Sequence, residues 1–124
     1  MKLAVFGDSI VQGFYDTECG GWCARLSAEL QRRTLATGYR RIHEVFNLGI
    51  SGNLSVDVAR RVTGELSVRA PRPNRVVLIA AGVNDAHFSV DTGASSLQPE
   101  ETKQHVAAAI RDARSHARAV LVMP

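Results

Sequence analysis

Ser9 stands in Gly7-Asp8-Ser9-Ile10, directly after a short apolar run from Leu3 to Phe6. A serine hydroxyl on a turn at a strand end is a candidate nucleophile, and a neighbouring glycine lets a substrate approach the backbone closely. Two further turns carry residues suited to the same chemistry. Asn47-Leu48-Gly49-Ile50-Ser51-Gly52 closes a second apolar run, and Gly82-Val83-Asn84-Asp85 closes a third. Acyl transfer passes through a tetrahedral intermediate whose negative oxygen needs donors fixed in advance. Three are on offer: the backbone N–H of Ser9, the backbone N–H of Gly49 and the side-chain amide of Asn84. Asp8, Asp85 and His87 flank these positions and are candidate substrate contacts. Each residue also has a plainer reading. Gly7 and Gly82 can be turn glycines, Asn84 and Asp85 an Asx-turn, and Asp8 a residue that fixes its turn by hydrogen bonds. The elbow pattern Gly-x-Ser-x-Gly is absent, so an ordinary α/β-hydrolase is excluded.

Three loops act together only if the elements between them bring them to one place. Leu3 to Phe6 reads as a buried parallel strand. Trp22 to Thr37 reads as a helix with Trp22, Leu26 and Leu30 on one face and Gly38 closing it. Ile42 to Leu48 is a second strand. Ser55 is expected to cap a second helix with Val58, Val62 and Leu66 inside and an Asp57–Arg61 pair outside, ended by Pro71 and Pro73. Val76 to Ala81, six uncharged residues, is the central strand. The segment from Asn84 to Gln98 has no periodicity and reads as a polar loop. Pro99 then opens a helix with Val106, Ile110, Ala113 and Ala117 on its buried face. Ala119 to Met123 is a fourth strand. The order β-α-β-α-β-α-β implies a parallel sheet with helices on both faces. In the strand order 2-1-3-4, Ser9 lies between the other two loops, outside the carboxyl ends of the strands, where such sheets bind ligands.

Composition narrows the function classes. The chain has 124 residues and a formal net charge of +3, which suits one domain spanning residues 1–124. The arginines are dispersed, at Arg32 and Arg33, Arg40 and Arg41, Arg60 and Arg61, and between Arg111 and Arg118. A nucleic-acid surface concentrates its charge, so no nucleic-acid partner is expected. Cys19 and Cys23 have neither redox nor zinc spacing, and two free thiols fit a reducing compartment. The N-terminus lacks the apolar length of a signal peptide, and no stretch reaches a membrane span. The expectation is a cytoplasmic protein with no membrane partner. Trp22 reads as a core or rim aromatic, and Asp16 and Glu18 as exposed acids.

Together the three blocks resemble those of the SGNH/GDSL hydrolases. Gly7-Asp8-Ser9-Ile10 is similar to the first, with Ile where Leu is usual. Gly49 in Asn-Leu-Gly-Ile-Ser-Gly is matched to the second, and Gly82-x-Asn84-Asp85 to the third. The resemblance covers essentially the whole chain. It implies a flavodoxin-like three-layer α/β/α fold, Ser9 as nucleophile, and Ser9, Gly49 and Asn84 as the oxyanion hole. It also implies a small-molecule ester as substrate, cleaved through an acyl-serine by an esterase, lipase, thioesterase or carbohydrate deacetylase, with no metal and no cofactor. The family's fourth block, Asp-x-x-His, does not occur. The nearest pair, Asp112 and His116, is one residue too far apart and lies within a predicted helix. The fifth strand and last helix are therefore expected to be missing, and this chain alone to be inactive. Of the other histidines, His43 opens a strand and His105 and His116 lie in a helix, whereas His87 is on the correct edge and reads as lining the cleft. The competing reading is a non-catalytic module that keeps the cleft and binds a small molecule or carbohydrate. A nucleotide-binding flavodoxin-like domain is disfavoured, because the first loop lacks a glycine-rich phosphate cradle. The apolar fourth strand, without charge or interior proline, is a bare sheet margin expected either to pair with another copy or to leave the isolated chain poorly soluble.

Overall fold

The computed structural model describes residues 1–69 and 74–123, to which all structural statements below refer. Pro71 and Pro73, read from the sequence as ending the second helix, lie outside the described residues.

Four parallel strands form the sheet: β1 (Lys2–Gly7), β2 (Glu44–Gly49), β3 (Arg75–Ala80) and β6 (Ala119–Val122). The spatial order is β2-β1-β3-β6. Numbered among the four sheet strands alone, this is the expected 2-1-3-4. Gly7 is in register with Gly49 on one side and with Ala80 on the other. The ends of the first three strands are therefore level, which places their exit loops along one edge.

Helices cover both faces. On one, α3 (Ser55–Ser67) and α4 (Pro99–His116) bury Ala4, Phe6, Val77 and Ile79 beneath Val58, Val62, Leu66 and Ala113. On the other, α1 (Ser9–Gln12) and α2 (Gly21–Ala36) cover Leu3, Val5 and Val76, with Val11 and Cys23 at the contact. The alternation along β1 explains this division, since successive side chains in a strand point to opposite faces. The result is a three-layer α/β/α fold around one parallel sheet.

Several local expectations are corrected. The segment from Asn84 to Gln98 holds a small antiparallel pair, β4 (Phe88–Ser89) and β5 (Ala94–Ser95). Strands of two residues are too short to give a period. The buried positions of α4 and its end are Ala109, Ala113 and Ala117, while Val106 and Ile110 are only half-buried. Alanines at the contact let α4 lie close to α3, leaving the larger side chains at its flanks. Ser55 is the first residue of α3, and Leu54 occupies the cap position. Asp57 reaches back to accept from the Leu54 N–H at 3.0 Å. Asp57 pairs with Arg60, and Arg61 turns inward instead of pairing with Asp57 on the outside.

β6 pairs only with β3 and forms the sheet margin, with Leu121 53% and Val122 51% exposed. Among the described residues, no helix is long and apolar enough to cross a membrane. Cys19 is exposed, Cys23 is buried, and both are free thiols.

Candidate active site

The turn after β1 is built around Asp8. Its carboxylate accepts from the Ile10 N–H at 2.9 Å and so caps the single turn of α1. Asp8 is 2% exposed. Its carboxylate holds the Ser9 turn, because a first helical turn leaves N–H groups that need an acceptor. Ser9, half-buried, opens α1, and its hydroxyl makes no hydrogen bond among the described residues. Its backbone N–H is at the first helical position, which has no partner within the helix. Beside this turn is a mostly apolar cavity of about 100 Å³, bordered by Asp8, Ile10, Trp22, Val83 and Met123.

The loop after β2 is fastened to the same turn. Asn47 donates through Nδ2 to the Val11 carbonyl at 2.9 Å, and the Ser51 N–H donates to Gln12 Oε1 at 2.7 Å. Gly49 lies against α1 so closely that a Cβ there would sit 2.2 Å from the Gln12 nitrogen and 2.8 Å from the Asp8 carbonyl oxygen. Its N–H donates to Asn47 Oδ1 at 3.0 Å. Gly49 is thus a close-approach glycine whose donor is already engaged. Three residues further on, Gly52 has φ +79, open space around its Cα, and an N–H without a partner among the described residues. This left-handed residue in the loop tied to the Ser9 turn was visible in the sequence only as the second glycine of Gly-Ile-Ser-Gly.

The loop after β3 supplies Asn84. One proton of its Nδ2 goes to the Asn53 carbonyl at 3.0 Å. A primary amide carries two protons, so the other remains available. Asp85 points the other way. It is 1% exposed, and its Oδ1 accepts from the Ser55 N–H at 2.8 Å. A carboxylate at the start of α3 complements the positive end of the helix dipole. Asp85 therefore anchors α3 beneath the site, which corrects its reading as a substrate contact. The Ser55 hydroxyl lies 3.5 Å from His105 Nδ1, so His105 reaches the floor of the site from α4. His87 is exposed, and its side chain makes no hydrogen bond among the described residues. Its backbone holds the loop, donating to the Asn84 carbonyl and accepting from Ser96.

The structure therefore brings Ser9, Gly49 and Asn84 to one edge of the sheet, through level strand ends and loops tied to one another. It separates them by use: Ser9 and Asn84 retain free polar groups, whereas Gly49 does not. Asn53 escaped the sequence reading, and Arg61 was read there only as an exposed partner of Asp57. Among the described residues, no group of three or more His, Cys, Asp or Glu is placed to hold a metal ion.

A serine-bearing turn after the first strand of a three-layer parallel sheet, flanked by two loops bearing amide groups, is the arrangement of an SGNH-type hydrolase fold. The chain belongs to the GDSL-like lipase/acylhydrolase family, whose model matches residues 5–124. It is similar in structure to AlinE4, an SGNH-hydrolase family esterase, at a TM-score of 0.73 and 21% identity, over 98% of this chain and 57% of that one. The likeness to TesA has a TM-score of 0.73 and 29% identity, over 98% of this chain and 59% of that one. A catalytic mutant of Axe2, an acetylxylan esterase from Geobacillus stearothermophilus, gives 0.72 and 20%, over 98% and 58%. The chain thus spans less than two thirds of the length of each. No curated protein sequence matches it.

Proposed function

We propose that this chain carries the nucleophile and oxyanion donors of a carboxylic-ester hydrolase. Ser9 Oγ attacks the ester carbonyl carbon, the C–O bond to the leaving alcohol breaks, and water then releases the acid from the acyl-serine. The observation that supports this most is the unengaged Ser9 hydroxyl at the level ends of β1, β2 and β3, beside the Asn84 amide loop. The donors we assign are the Ser9 N–H, the Asn84 amide and the Gly52 N–H. Gly52 replaces Gly49, whose N–H is held by Asn47. The free Cys19 and Cys23 support a reducing, cytoplasmic setting.

Serine is a weak nucleophile without a base to take its proton. The 124 residues contain no Asp-x-x-His, and the His87 side chain has no carboxylate orienting it. A polypeptide of these residues alone is therefore expected to turn over p-nitrophenyl acetate negligibly. A fluorophosphonate probe tests the nucleophile itself. Labelling that disappears in Ser9→Ala supports the assignment, whereas no labelling under forcing conditions favours a cleft that binds without cutting. Robust turnover lost in both Ser9→Ala and His87→Ala would make His87 the base and overturn the expectation of inactivity.

A further inference from the structure

Arg60 and Arg61 are adjacent on α3 but have opposite fates. The Arg60 side chain is 75% exposed and pairs with Asp57, whereas that of Arg61 is 16% exposed, lies 3.9 Å from the Glu65 carboxylate and runs under the active-site edge. Its guanidinium carbon lies 5.3 Å from the centre of the Phe6 ring. Nη2 donates to the Leu48 carbonyl at 2.7 Å and to the Gly7 carbonyl at 3.2 Å. Nε donates to Asn53 Oδ1 at 3.0 Å. Gly7 leads into the Ser9 turn and Leu48 into the Gly49–Gly52 loop. Asn53 accepts the Asn84 amide on its own carbonyl. One cation therefore touches two of the three site loops directly and the third through a single residue.

We propose that Arg61 is a positioning residue of the oxyanion hole, fixing the Asn84 amide through Asn53 and the strand ends through Gly7 and Leu48. This rests on the reading of Asn84 as an oxyanion donor. The physical case is one of geometry against cost. Burial pulls the guanidinium below its ordinary pKa, because removing its hydration disfavours the charged form. An apolar side chain would cover Phe6 without that penalty. What an apolar residue cannot supply is a planar fork with donors in fixed directions, here met by acceptors on separate segments. Lysine retains the charge but presents a compact ammonium on a flexible stem, so it cannot hold the same acceptors at once. With Asn53 held, one Asn84 proton is committed and the other has a fixed direction. Donors preorganised in this way act without rearranging as charge develops.

The test compares the wild-type chain with Arg61→Lys and Asn53→Ala. Three measurements are made: thermal unfolding, the ¹⁵N–¹H side-chain amide signals of Asn84 (assigned by their loss in Asn84→Asp), and the rate of Ser9 labelling by a fluorophosphonate. In folded Arg61→Lys, the two Asn84 amide protons are expected to move toward solvent-exposed shifts and labelling to slow by about tenfold or more. Asn53→Ala should shift the same amide signals in the same direction, and it decides the matter if Arg61→Lys does not fold. Unchanged Asn84 signals in the folded variants would overturn the proposal, as would unchanged labelling alongside wild-type labelling that depends on Ser9. If wild-type Ser9 is not labelled at all, the hydrolase reading fails separately, and the Asn84 signals alone decide whether Arg61 positions that amide.

Discussion

Asp85 Oδ1 accepts the backbone N–H of Ser55 at 2.8 Å, and both residues are only 1% exposed. This bond joins the loop after β3 to the first residue of α3. Asp85→Ala would leave a buried N–H unsatisfied, at a cost of about 1–3 kcal/mol. Asp85→Asn keeps an acceptor and should cost less. Urea unfolding of the variants checks this, and an unchanged midpoint for Asp85→Ala would show that the bond contributes nothing.

Gly49 and Gly52 should respond differently to alanine. At Gly49 the added Cβ collides with backbone atoms of the α1 turn. We expect Gly49→Ala to lose about 3 kcal/mol, as overpacked sites do, and to disturb the Ser9 turn. At Gly52 there is open space but a left-handed φ of +79, so Gly52→Ala should lose roughly 1–2 kcal/mol through backbone strain alone. Equal losses in chemical denaturation would contradict the distinction.

The Asn84 amide is expected to matter more to rate than to folding. In a form with a working base, Asn84→Ala should reduce kcat on the order of a hundredfold or more. An Asn84→Ala enzyme with wild-type turnover would remove the amide from the donor set.

The two cysteines differ in reactivity. Burial pushes the Cys23 thiol up from an ordinary value of 9.0 to about 11. Native protein should react with thiol reagents at exposed Cys19, and at Cys23 only on unfolding. The same shift has a sign for stability. As pH rises from 9 to 11, the unfolded chain releases the Cys23 proton while the native chain retains it, so stability falls across that window and is unaffected well below it. Cys23→Ala should flatten that part of the pH–stability curve, and an identical slope in both proteins would refute the assignment.

β6 carries an apolar, uncharged margin with Leu121 and Val122 half exposed. Unprotected edges of this kind pair with other chains. The 124-residue polypeptide is expected to associate through β6, with Leu121→Lys returning it to monomer. A strictly monomeric wild type in analytical ultracentrifugation would refute this.

The sequence by itself determined the four strands of the parallel sheet, the three long helices and the edge on which the candidate site residues lie. Each of these follows from short-range properties: apolar runs for β1 and β3, a period near four for Val58, Val62 and Leu66, and glycines where the strands end. Parallel strands with helical crossovers then leave few topologies, which is why the order β2-β1-β3-β6 could be anticipated. What only the tertiary structure decided was the use made of each polar group. Gly49 and Gly52 look equivalent along the chain, yet only the packing of α1 against β2 shows that Gly49 fills a contact and has its N–H taken by Asn47. Asp85 adjoins Asn84, but the start of α3 claims its carboxylate and buries it. Arg61 sits at a helix position that suits an exposed ion pair with Asp57. It turns inward because Gly7, from the far end of the chain, and Leu48 and Asn53, from the segment just before α3, present three acceptors at one place. Local pattern reports which way a backbone runs; a hydrogen-bond partner from another segment exists only once the chain has closed.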